Sequence, residues 1–80
     1  EFGPFEAYLA VGRYDDVIRE VYNVLQTTDG VEEMYYFIAQ AYEGKGDIPR
    51  AIANLELAVY RNRHFHEAAA LIAEYKARSG

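Results

Sequence analysis

The sequence predicts an all-α fold, an antiparallel helix-turn-helix stack of about five helices. Apolar residues recur at spacings of three and four along most of the chain, and no stretch carries a strand signal. Turn-forming clusters at Gly12, Thr27-Thr28-Asp29-Gly30, Gly44-Lys45-Gly46-Asp47 and Asn62-Arg63-His64 cut these stretches into helix-sized pieces. The chain also matches itself at an offset of 34, pairing Ala7 with Ala41, Tyr8 with Tyr42, Gly12 with Gly46, Ile18 with Ile52, Glu33 with Glu67 and Ile38 with Ile72. Apolar faces apolar between these identities, as in Val17 with Ala51, Val21 with Leu55 and Phe37 with Leu71. A period of about 34 is that of a helix-turn-helix solenoid unit. Such a unit cannot bury its apolar face alone and folds by stacking on its neighbours.

Glu1-Phe2-Gly3-Pro4 is expected to be a cloning remnant or a disordered start, because Gly-Pro discourages helix. Residues 5–80 then form a single domain. Phe5 to Val11 is a short helix closed by Gly12. Tyr14 to Thr28 is the second, with Tyr14, Val17, Ile18, Val21, Val24 and Leu25 as one apolar stripe. Val31 to Glu43 is the third, with Glu32 and Glu33 complementing the positive end of its dipole. Met34, Tyr35, Phe37, Ile38, Ala41 and Tyr42 cover more than one face of it, so it should be an inner helix packed on both sides.

The fourth helix follows the Gly44-Lys45-Gly46-Asp47 turn, capped by Asp47, with Pro49 in its first turn, and runs to about Tyr60. The fifth covers roughly Phe65 to Ala77, with Ala69, Ile72, Ala73 and Lys76 on one face and Ala68, Leu71 and Tyr75 on another.

Eighty residues allow one small domain, and 51% apolar residues argue against disorder. No apolar run approaches the roughly 18 residues of a membrane span. With no cysteine, disulfides and thiolate metal sites are excluded. Residues 1–43 carry nine acids against Arg13 and Arg19, a balance of −7, whereas residues 44–80 carry four acids against six bases, a balance of +2. An acidic half repels phosphate backbones, so nucleic acid is not an expected partner.

From Glu32 onward the residues resemble the tetratricopeptide repeat (TPR) family. Tyr35 stands where that family favours Trp, Ile38 at its Leu position, Ala39 at its small-residue position, Tyr42 at its Tyr position and Gly46 in its turn. Ala51 and Ala58 occupy the two Ala positions of the second helix, and Leu55 stands in for Phe. The resemblance covers residues 5–80 as the rear of one repeat, one full repeat and the front helix of a third, as though excised from a longer protein. It departs from the family at Asp29 and Arg63, where a helix-ending Pro is usual, and at Val17 and Val24, where Ala is usual.

The resemblance implies a protein-interaction module whose concave groove holds a partner peptide or helix. By position, Glu33, Tyr36, Gln40 and Glu43 of the third helix would face that groove, with Glu67, Ala70, Glu74 and Ala77 of the fifth and Glu6 and Leu9 of the first. An aromatic flanked by carboxylates suits a basic or mixed basic-apolar segment, with Arg78 as the one nearby counterweight. The Lys, Arg and Asn cluster with which some TPR proteins grip chaperone tails is absent, since Glu, Gln, Tyr and Ala stand there. The alternative is self-assembly into homo-oligomers through exposed stack ends, around Phe5 and Tyr8 at one end and Leu71 and Tyr75 at the other.

No enzyme, metal or cofactor is expected. His64, His66 and Glu67 lack a third fixed ligand beyond two imidazoles at a loop-to-helix junction. Gly44-Lys45-Gly46-Asp47 lacks the glycine spacing and the Ser/Thr of a phosphate loop. No nucleophile, base and orienter form a set.

Overall fold

The computed structural model describes residues 3–27 and 32–79. They form five helices, α1 (Gly3–Ala10), α2 (Tyr14–Thr27), α3 (Glu32–Gly44), α4 (Ile48–Arg61) and α5 (His66–Ser79), and no strand is present among them. The turn expected at Thr28-Asp29-Gly30, the expected helix start at Val31, and Glu1, Phe2 and Gly80 lie outside the described residues.

The 34-residue offset recurs in the geometry. Helix α2 starts at Tyr14 and α4 at Ile48, 34 positions later, and both run for 14 residues. Helices α3 and α5 start at Glu32 and His66, again 34 apart. The turn that ends the first helix of each pair is the same motif twice. Gly12 and Gly46 have φ of +80° and +85°, a conformation without penalty for glycine alone. The Gly12 amide donates to the Leu9 carbonyl at 3.2 Å and the Arg13 amide to the Tyr8 carbonyl at 2.9 Å. Gly46 to Glu43 at 3.0 Å and Asp47 to Tyr42 at 2.9 Å repeat the pattern. These paired bonds satisfy carbonyls that a helix end leaves without partners.

Capping follows the sequence at α4, where Asp47 Oδ1 accepts from the Arg50 amide at 3.2 Å and Pro49 sits in the first turn. At the other end Asn62 turns extended, and its side chain accepts the His64 amide at 3.0 Å, which reverses the chain into α5.

The inner position expected of the third helix is observed, since α3 packs against α1 and α2 on one side and α4 on the other. Met34, Phe37, Ile38 and Ala41 join Phe5, Val17 and Val21 in one buried cluster. Ala39 joins Ala51, Leu55, Ala58, Ala68 and Tyr75 in a second. The alanines permit close backbone approach, and Leu55 and Ile38 fill the space around them.

Gly3 and Pro4 form the first turn of α1, where a missing amide proton costs no intrahelical bond. Two expectations are corrected. Phe5 and Tyr75 are not exposed stack ends: they are 8% and 4% accessible, and Leu71 is half-buried. Tyr75 lies inside the second cluster, and Phe5 stacks on Phe37 with centroids 5.6 Å apart. Helix α5 turns only one apolar face inward, Ala68, Leu71, Ile72 and Tyr75, and leaves Ala69 and Ala73 exposed.

Candidate functional site

Helices α1, α3 and α5 alternate with α2 and α4 along the chain. Between them lies an open cavity of about 950 Å³. Helix α1 contributes Glu6, Leu9 and Ala10, and α3 contributes Glu33, Tyr36, Phe37 and Gln40. The opposite wall is the α4–α5 connection, with Asn62, His64 and Phe65, together with Glu67 at the start of α5.

Tyr36 is half-buried, and its ring rests against Phe65 with centroids 5.1 Å apart and against Phe37 at 6.2 Å. The pair Tyr36–Phe65 therefore joins α3 to the α4–α5 connection within the cavity lining. Burial first, and the Glu67 carboxylate second, raise the Tyr36 phenol above its ordinary value of 10. Its hydroxyl stays protonated at neutral pH and can donate a hydrogen bond there. The Gln40 side chain donates back to its own helix, to the Tyr36 carbonyl at 3.4 Å.

Of the groove residues the sequence suggests, the structure brings Glu6, Leu9, Glu33, Tyr36, Gln40 and Glu67 to this cavity. Glu43 lies elsewhere: its carboxylate accepts from Arg78 Nη2 at 2.9 Å, an ion pair from α3 to α5. Ala70, Glu74 and Ala77 are exposed on α5 and do not line the cavity. Phe65, Asn62 and His64 do line it, though sequence reasoning placed Asn62 and His64 only in a turn and Phe65 only at the start of the fifth helix. The usable signal was antiparallel order, which sets the residues just before α5 beside the first turns of α3.

The rings of His64 and His66 stand 6.5 Å apart, edge to face, and among the described residues no three His, Asp or Glu side chains converge as a metal-binding group. No helix among the described residues is long and apolar enough to cross a membrane. Comparison of the chain with protein-family models, curated proteins and solved structures finds no match.

Proposed function

We propose that this protein is an interaction module of the TPR kind that seats a segment of a partner protein in the cavity between α1, α3 and the start of α5. The observation that carries the reading is the cavity itself: an open space of about 950 Å³ whose lining includes the Tyr36–Phe65 ring pair. Aromatic side chains in well-packed pockets are where interfaces concentrate their binding energy. The 34-residue recurrence of helix starts and glycine turns supports the repeat reading, and repeat stacks present such concave faces for recognition. Self-assembly through the stack ends is the weaker reading, since Phe5 and Tyr75 are packed within the chain while Tyr8 and Leu71 are half-buried.

Selection from a random-peptide display library, followed by amide shift mapping of the best binder, tests the reading. Shifts at residues 6–10, 33–40 and 62–67 are the expected footprint. A binder that moves only residues outside these segments, or failure to select any binder, would remove the cavity as the site.

A further inference from the structure

We infer that the segment seated in this cavity presents a lysine or arginine whose cationic head lies among Glu6, Glu33 and Glu67 while an apolar group rests on Tyr36 and Phe65. The inference rests on the groove reading above and names the chemistry of its occupant.

The distribution of charge pairing carries it. Asp15, Asp16, Glu20, Glu43, Asp47 and Glu56 all lie within ion-pair distance of a lysine or arginine of the chain. Among the described residues Glu6, Glu32, Glu33, Glu67 and Glu74 have no such partner, and three of these five line this cavity. No lysine or arginine lines it. The three carboxylates come from three different helices, and Glu33 and Glu67 are equivalents in the 34-residue register. Compensation of the helix dipole accounts for a glutamate near the start of each helix. It does not account for their meeting around one cavity with no cation among them.

All three carboxylates are solvent-exposed, and like charges lining one cleft with no cation among them focus a negative field on the space they enclose, one that added salt weakens. The aromatic pair fixes where the rest of the ligand goes. A lysine or arginine stem lies on apolar surface while its head stays polar, and arginine also stacks on rings. At the far end of α3 and α5 the Glu43–Arg78 pair neutralises the groove. The attraction is therefore confined to the end where the α4–α5 connection passes.

A second copy of the chain is a poor source of this cation. Arg13, Arg19, Lys45, Arg50, Lys76 and Arg78 already hold carboxylates of their own chain. Of the remaining two, Arg61 stacks over the Tyr35 ring at 5.4 Å, which leaves Arg63 as the single exposed cation among the described residues with neither an ion pair nor a ring contact. The occupant is a different protein, through a short segment combining Lys or Arg with an apolar residue.

The test sorts one random-peptide display library in parallel on the wild-type protein and on a Glu6→Gln/Glu33→Gln/Glu67→Gln variant. Glutamine keeps size and helix propensity, and because all three positions are solvent-facing to some degree, each single substitution serves if the triple variant melts early. Peptides selected on the wild type should be enriched in Lys or Arg. They should shift amides at residues 33–40 and 62–67, and bind the triple variant about tenfold or more weakly, in line with close charge pairs at interfaces. Groove-binding peptides without that enrichment, or with equal affinity for the variant, overturn the inference and leave the groove reading intact. Peptides with footprints elsewhere, or none at all, overturn both.

Discussion

The ring of Tyr14 occupies the space where a side chain at position 44 would begin. A Cβ built on Gly44 would collide with three ring carbons of Tyr14, whereas one built on Gly12 or Gly46 would meet nothing within 4 Å. Gly44 closes α3 and Tyr14 opens α2, so the contact sets how closely the two helices approach. Gly12 and Gly46 serve the backbone; Gly44 serves packing.

Gly44→Ala is therefore expected to destabilise the fold by about 1–3 kcal/mol, the usual cost of overpacking. Helix propensity alone predicts the opposite sign, a gain of about 1 kcal/mol for Gly to Ala. Urea denaturation of Gly44→Ala, alone and combined with Tyr14→Ala, separates the two. The cost should vanish in the double variant; a stabilised Gly44→Ala would show that the ring yields freely.

Ala51 tests the second cluster in the same way. It is fully buried on α4, among Ala39, Leu55 and Ala58. Ala51→Leu adds volume where two helix backbones approach closely and should cost about 1–3 kcal/mol. The equivalent position in α2 holds Val17, also fully buried, so the first hairpin already accommodates a larger residue there. Ala51→Val should accordingly cost less than Ala51→Leu, with denaturation midpoints giving the order. Equal midpoints for all three proteins would mean that α3 and α4 are not in close contact at this site.

Much of this architecture is legible in the sequence, because helix periodicity, caps and turn glycines are local. The start of α2, the Asp47 cap and the inner position of α3 follow from residues within a few positions of one another. The cavity is legible only in part. Glu33, Tyr36 and Gln40 share a helix face, and their convergence follows from helical geometry alone. Phe65 reaches Tyr36, and Arg78 reaches Glu43, through the packing of α5 on α4, which brings it alongside α3 and which no local spacing encodes. The same packing decides which face of α5 turns inward, so Tyr75 is core where an isolated wheel leaves two faces equally apolar.

The pH dependence of stability has two edges. Hydrogen bonds from Arg19 and Arg13 lower Asp16, and bonds from the Arg50 side chain and amide lower Asp47, both from an ordinary 3.8. A lowered carboxyl contributes stability that is present above the unfolded value and is lost as pH falls through the folded one. The acid edge should thus lie below about pH 4, and Asp47→Asn should lower stability at neutral pH while flattening that edge. Burial first, with Glu43 and Glu74 next, pushes Tyr75 up to about 12 from 10. A raised phenol contributes fully below 10, and its contribution is lost as pH rises through about 12. Phenolate absorbance should show one tyrosine titrating late, and Tyr75→Phe should remove it. An unchanged titration in that variant would place the late phenol elsewhere.

Arg78 is the point at which the groove can be extended. Its guanidinium holds Glu43 at 2.9 Å and stacks over the Tyr75 ring at 5.4 Å. Arg78→Gln frees the Glu43 carboxylate and removes the positive charge facing α3, while the exposed position leaves the core unaltered. A Lys- or Arg-bearing peptide bound in the cavity should then associate faster, because long-range charge acts mainly on encounter. Dissociation should change little, since the contacts at Glu6, Glu33, Glu67 and the Tyr36–Phe65 pair are untouched. The gain should fade as salt rises, because the Debye length shrinks from about 10 Å at 0.1 M to about 3 Å at 1 M. Stopped-flow association at both salt concentrations decides it. A rate gain that persists at high salt would mean that Arg78 obstructs the groove by its bulk rather than its charge, and no gain at either would place the bound peptide beyond reach of that end.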